Sequence, residues 1–504
     1  MRSSDAPAAA ESAASSQTRR ARSRRGVRRA LLAGLGITYV CAFVSLAVQI
    51  VGLVGSSGIL PNRAWFSALA GHPDVGFADV PSLCWGSGCS DATLLALAWG
   101  GALAGLCLVV GVLPWLAAFV AFAAYLSLCG AGQLFFNFQW DMLLLEAGFL
   151  ALLLAPPDAL GPRSRAWERE PPALSIWLFR WLLFRLVWSS GIVKLASGDA
   201  TWWNLTALHY HYETQPLPIR TSWWMHQLPL GAQRVATFAA LACELCAPLG
   251  YLGPRRVRQV AAAVTAGLML LIATTGNYGF FNLLTIVLCL SLLDDDALPR
   301  RLGHVGAGLP APRWQRGAVW ALGVSLVLLS LAPFLLSIDR GTPARDPLIG
   351  LYRLQRGFHL VGAYGLFAVM TTERPEVTVE GTLDGETWKP YAFRWKAGDP
   401  QRAPRFAGPH MPRLDWQLWF AALEGADRVR WLRAFASRLL EASPDVLRLL
   451  ADDPFQGRAP KAVRVRVDDY HFTSFSERRA TGAWWRVDPG RVAFEVRRDD
   501  SAAR

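Results

Sequence analysis

The sequence predicts a polytopic α-helical membrane protein of about nine spans that ends in a water-soluble α+β module, read as β-sandwich-like. Three observations predict it. Hydrophobic residues make up 53% of the 504 positions and charged residues only 18%, a balance that departs from soluble domains. Apolar residues gather in runs near twenty residues long before about residue 338, the length that crosses a hydrocarbon core. Beyond that point charges, prolines and short alternating stretches take over. Two classes of structure therefore meet at a sharp boundary.

Residues 1–29 are rich in Ala, Ser and Arg. They hold too little apolar content to fold, and read as a disordered, basic cytoplasmic tail. The first apolar run, from about Ala30 to Val54, follows RRARSRRGVRR. It is longer than the core of a signal peptide and lacks a small-residue cleavage site, so it is expected to stay as an anchor.

The multi-span domain occupies 30–338, with spans centred near Ala42, Leu103, Val120, Leu145, Leu186, Leu241, Thr265, Val287 and Val327. The runs around Leu145 and Val287 are the weakest and could be re-entrant. With the tail inside, the even-numbered crossings return the chain to connections that carry Arg163, Arg165 and Arg169, then Arg255, Arg256 and Arg258, then Arg300 and Arg301. Three loops thus agree with a positive-inside orientation. An odd number of spans sends residues 339–504, and the loops near 56–91, 197–232 and 275–280, to the opposite side.

In the terminal module EVTVEGT, a turn at Asp384-Gly385 and TWKPYAFRW read as a hairpin, and AVRVRVDDYHF as a later strand. Helical spacing in DWQLWFAALE and onward places a helical insertion near 413–451. The net charge of +13 follows the inner loops rather than a stacking-aromatic module, so the bilayer, and not nucleic acid, is the expected partner.

Carboxylates and cations inside apolar spans need partners or a wet cavity. FQWDMLLLEAGFL holds Asp141 and Glu146, and the next span holds Arg180, Arg185 and Lys194. Structural ion pairing among them is the first expectation, and a cavity in which Lys194 handles protons is the second. SGDATWWNLTALHYHYETQPLP is the strongest outer-loop site candidate, with Asp199, His209, His211 and Glu213. If extended, the last three share one face. His-x-His without a fourth ligand is a weak metal signal, and no metal or cofactor is expected.

Cys84 and Cys89 lie in an outer loop where oxidation is permitted and are expected to pair. Cys41, Cys107, Cys129 and Cys289 read as core residues, as do Cys243 and Cys246 of ACELCAP, which lack a thioredoxin-like context. No Gly-x-Ser-x-Gly elbow, His-Glu-x-x-His or phosphate loop in the right setting is present, which removes support from hydrolase and nucleotide-binding readings.

Taken together, FQWDMLLLEAGFL, RWLLFRLVWSSGIVKLASGDATWWNLTALHYHYETQPLP, GNYGFFNLLTIVLCLSLLDD, YGLFAVMTTERPEVTVEGTLDGETW and PHMPRLDWQLWFAAL resemble the lipase maturation factor family. The resemblance runs from about residue 134 to 420. One departure is Gly362, where a polar Asn is expected. The resemblance implies a non-enzymatic, chaperone-like membrane protein of the endoplasmic reticulum that assists newly made lipases from the lumenal side. The Ala- and Arg-heavy composition suggests a bacterial host instead, with inner membrane and periplasm in those places. It fixes no oligomeric state.

For such a client, Tyr364, Phe367, Arg374, Glu376, Trp388, Asp415, Trp416 and Trp419 are the expected contact residues, since aromatic and Arg anchors dominate interfaces. The competing expectation is that these tryptophans fill the module core. SGIVKLASGDATWW is also similar to a stretch of vitamin K-dependent gamma-carboxylases, which implies an alternative: an enzyme using Lys194 as a base. A structural subunit of a larger membrane complex is the third reading.

Overall fold

The computed structural model describes residues 23–136, 138–299, 301, 303, 308–338, 350, 352–353 and 355–498. The tail up to residue 22 lies outside them, and the first helix already begins at Arg25. Among the described residues the bundle is built from α1 (Arg25–Ala47), α2 (Asp91–Val110), α3 (Pro114–Gly132), α4 (Gln139–Leu154), α5 (Ala173–Ala196), α6 (Leu230–Tyr251), α7 (Arg255–Ala273), α8 (Phe281–Cys289) and α9 (Arg313–Ile338). Among the described residues seven helices are long and apolar enough to cross a membrane, so the chain is a polytopic membrane protein.

The other two passes are those centred near Leu145 and Val287. Helix α4 has 16 residues, about 24 Å at ~1.5 Å per residue, and α8 with its 3-10 extension runs only from Phe281 to Leu292. Both fall short of a ~30 Å hydrocarbon core. They nevertheless join the same two ends as the longer helices, packed among them.

Small residues bring α1 against α2. A Cβ on Gly36 would stand 2.6 Å from the Gly105 carbonyl oxygen, and one on Gly105 would stand 2.9 Å from the Gly36 oxygen. Only glycine permits that approach, which suits helices that associate without a hydrophobic driving force.

One end of the bundle is charged and self-neutralised. Asp295 accepts the Gly26 and Val27 amides at 3.0 and 2.9 Å, a carboxylate at a helix start. Asp294 pairs with Arg258 at 2.8 Å and Arg24 at 3.5 Å, and Arg169 pairs with Asp158 at 2.6 Å. Two of the three basic connections singled out in the sequence, those of Arg169 and Arg258, thus share this end, while Arg300 of the third lies outside the described residues.

The module sits on the opposite end. Strands β1 (Pro375–Thr382), β2 (Lys389–Pro390), β3 (Ala462–Phe472) and β4 (Trp485–Arg497) form one antiparallel sheet of order β2-β1-β3-β4. Glu380 faces Pro390 across the expected hairpin. Asp384 closes its turn by accepting from Thr382 Oγ1 and the Glu386 and Thr387 amides, which hold its carboxyl well below the usual range. Between β2 and β3 come α10 (Arg413–Glu424) and α11 (Arg430–Leu440). They pack on β1 and on β3 and β4 respectively. Among the described residues the strands of this module form one sheet with the inserted helices packed on it, not two facing sheets.

Candidate functional site

The polar residues of the spans converge on the seam between bundle and module. Asp141, in the first turn of α4, is buried and bound by Arg413, from the first turn of α10. Arg413 Nη2 stands 2.7 Å from Asp141 Oδ1, and Nη1 stands 2.9 Å from Oδ2. This is a bidentate geometry that only guanidinium provides. Tyr125 donates to Oδ1 at 2.5 Å, Arg413 donates to the Phe135 carbonyl at 2.5 Å, and its guanidinium lies 3.9 Å over the Phe136 ring. Asp141 therefore takes no cation from α5, as pairing among span residues had suggested. Its partner arrives from 272 positions away.

Glu146, one and a half turns further along α4, does pair with α5. Its Oε1 meets Arg185 and its Oε2 accepts the Gly362 amide and the Tyr364 hydroxyl, both at 2.7 Å. Arg185 in turn donates to the Gly362 carbonyl at 3.1 Å. The backbone of Gly362 makes both contacts, and a Cβ there would stand 2.7 Å from the Tyr364 hydroxyl. That geometry answers the departure from Asn: no side chain is needed at this position. Arg180 donates to the Ser291 carbonyl at 2.7 Å near the charged end.

Lys194 pairs with Glu244 of α6, its Nζ 2.8 and 2.7 Å from the two carboxylate oxygens and 3.2 Å from the Ser190 carbonyl. Its three donors are all engaged, which leaves no base aimed at a ligand. Glu244 lies inside ACELCAP, between the two cysteines of a motif with the spacing of a redox site. An isolated carboxylate in an apolar span was the signal. Cys243 and Cys246 carry free thiols. Lys194 and Glu244 border a cavity of about 640 Å³ between α5, α6, α7 and the outer loop, with Trp202, His211, Cys243 and Tyr278 also in its wall.

The outer loop is helical from Ala207 to Thr214, not extended. Positions two apart on a helix are turned by about 200°, so His211 faces away from His209 and Glu213, which both lie toward His226. His209 Nδ1 meets Gln233 Oε1 at 2.8 Å, and His211 Nε2 meets the Tyr278 hydroxyl at 3.0 Å. Glu213 Oε2 accepts the Phe472 amide at 2.7 Å, while Oε1 lies 3.3 Å from His471. No group able to hold a metal ion is found among the described residues. Removal from water, followed by the nearby Lys194 charge, pushes His211 down to about 4. Asp199 caps the Thr201 amide at 2.8 Å and accepts the Met370 amide at 2.6 Å. Cys84 and Cys89 form a disulfide beneath the loop after α1.

The expected client contacts lie mostly inside the seam. Arg374 is 1% exposed and donates to the Glu213, Gln215 and Pro216 carbonyls, satisfying the end of the outer-loop helix. Glu376 pairs with Arg374 and, at 3.0 Å, with Lys396. Asp415 accepts the Trp395 and Lys396 amides, and burial nevertheless raises its carboxyl. Trp416 stacks edge-on to Trp140 at 4.8 Å, and Trp419 donates to the Thr214 carbonyl at 3.0 Å. Tyr364 is buried on Glu146. Phe367 is half-buried against His211, and Trp388 is half-buried under Arg464. Burial thus removes Tyr364, Arg374, Glu376, Asp415, Trp416 and Trp419 from any exposed face.

Residues that the sequence left unnamed complete the seam. Gln49 donates to the Met411 carbonyl at 2.8 Å and accepts the Arg413 amide at 3.1 Å, and Ser45 meets His410 Nδ1 at 2.9 Å. Burial first, then Arg413 and Arg394, lowers His410 to about 4. Asn277 bonds the Arg405 carbonyl and the Ala407 amide at 2.8 and 2.7 Å. Polar side chains at the ends of apolar runs were the available signal.

Such an arrangement defines a membrane-embedded helical bundle to which a C-terminal module is fixed by the buried Asp141–Arg413 ion pair and by hydrogen bonds across the seam. Residues 26–300 match the lipase maturation factor transmembrane domain, and residues 360–493 match the lipase maturation factor C-terminal domain. Similar proteins include lipase maturation factor 2 of Gallus gallus, 35% identical over 91% of this chain and 79% of that protein. Human lipase maturation factor 2 is 33% identical over 91% and 81%, and lipase maturation factor 1 of Bos taurus is 33% identical over 90% and 86%. The chain belongs to the lipase maturation factor family. No solved structure matches it.

Proposed function

We propose that this chain is a membrane-anchored, non-enzymatic maturation factor that holds exported lipases until they fold and assemble. The observation that carries the reading is the match, over nine-tenths of the chain, to proteins named for lipase maturation. Holding a client's exposed apolar surface needs no catalytic residue; it needs a rigid surface in the client's compartment. Nine passes, with basic connections at one end, deliver residues beyond 338 to the non-cytoplasmic side. That side is the endoplasmic-reticulum lumen implied by the family, or the periplasm in a bacterial host. Reporters fused after Arg504 should be active only there.

An exposed composite of bundle loop and module is the best-suited contact face. Trp224 and Phe475 are each 52% exposed with ring centroids 5.5 Å apart, and Arg478 lies 3.6 Å over Trp484 beside them. Aromatics with an arginine are the composition of interface hot spots. Phe367 and Trp388 keep part of their surface open and remain in the proposed set. The test is deletion of the gene followed by measurement of secreted lipases: specific activity should collapse while transcripts persist. An unchanged set of active lipases would defeat the reading. Replacing Trp224 and Phe475 together with Ser should weaken lipase co-purification by about tenfold or more, the scale of one lost anchor worth ~2 kcal/mol.

A further inference from the structure

Nothing in client holding uses the cavity beside Lys194. Its volume of about 640 Å³ is within the range of specific small-molecule sites, and corresponds to roughly twenty water-sized volumes at ~30 Å³ each. Its walls are apolar apart from a few groups. Val264 and Leu271 of α7, which line it, are also 39% and 66% exposed, and Ala239 of α6 is exposed as well. These residues belong to helices that cross the bilayer, so the mouth opens sideways into lipid rather than into water.

The charge inside is balanced. Lys194 and Glu244 neutralise each other at 2.7 Å, and all three ammonium donors are taken. A fatty-acid carboxylate entering here would meet Glu244 with no spare cation, a costly arrangement in a low dielectric. Glu244 has the opposite surplus: a carboxylate offers about four acceptor positions, and Lys194 fills two. A ligand that brings hydroxyl donors and no charge satisfies it. We infer that the cavity takes one acyl chain of an uncharged, hydroxyl-bearing amphiphile of the monoacylglycerol class, drawn from the surrounding bilayer, with its hydroxyl donating to Glu244. This inference is independent of client holding, and a failed binding test leaves that reading untouched.

The cavity wall offers a clean blocking variant. A Cβ on Gly267 would meet nothing within 4 Å, so Gly267→Phe can fill the space without displacing backbone. The full chain is placed in phosphatidylcholine nanodiscs with a monoacylglycerol carrying a photoreactive group in its acyl chain. Crosslinks are expected in the cavity-lining stretches of α5, α6 and α7. Unlabelled monooleoylglycerol should compete at least tenfold better than oleate, and labelling should drop at least tenfold in Gly267→Phe. Glu244→Gln leaves Lys194 unneutralised and should reverse the order, so that oleate competes better. Undiminished labelling of a folded Gly267→Phe chain, equal competition by the two lipids, or an unchanged order in Glu244→Gln would each overturn the proposal.

Discussion

Arg374 shows how a single residue changes meaning once its surroundings are known. By composition it suits an exposed client contact; in the fold it closes three carbonyls of the outer loop and pairs with Glu376. Arg374→Glu should therefore loosen the module itself, since removing one partner of a buried pair costs about 3–5 kcal/mol. Limited proteolysis should cut the variant at the seam well before the parent. Histidines at the seam set a pH dependence. His211 and His410 titrate near 4 in the fold against about 6.5 in an unfolded chain. Between those values the unfolded state binds more protons, so stability is complete above pH 6.5 and falls as pH drops toward 4. Melting temperature should be lower at pH 5 than at pH 7.5, and His410→Gln should flatten the decline. Neither effect was readable from the sequence, because burial of these residues is set by contacts across the seam, such as Ser45 on His410 and the Glu213 carbonyl on Arg374.

At the scale of elements, legibility followed the strength of the physical signal. Long apolar runs declare themselves because a bilayer core tolerates little else, and seven of the nine expected passes meet the length criterion. The two that do not, α4 and α8, are sheltered by neighbours, and α4 has its polar start taken up by the module. The hairpin at Asp384 and the strand AVRVRVDDYHF were legible from alternation and turn chemistry. ALHYHYET was not: its alternation suggests an extended segment, but packing against α6 selects a helix, a case of tertiary context overriding local pattern. The sandwich reading failed likewise, since nothing local says what covers a sheet. The loop holding Cys84 and Cys89 makes its own prediction: both should resist alkylation until a reductant is added, then react. Ready alkylation of the untreated protein would contradict the oxidised loop.

For the whole molecule, bundle and module form one body, fastened by the Asp141–Arg413 ion pair that neither part completes alone. The sequence announced half of that pair, Asp141, by its cost in an apolar span, and the module's aromatics by their spacing. It could not join Asp141 to Arg413, because a partner in a separate soluble stretch leaves no periodic trace. The bidentate geometry, the Tyr125 hydroxyl and the Phe135 carbonyl together meet the needs of both charges, so each should be costly to lose alone and much less so together. The most direct test is a double-mutant cycle on thermal unfolding of the full chain, with Asp141→Asn, Arg413→Met and the pair. We predict that each single change destabilises by about 3–5 kcal/mol and that the double change recovers at least ~2 kcal/mol of the summed loss. Simple additivity of the two single effects would contradict the proposed fastening of the module to the membrane bundle.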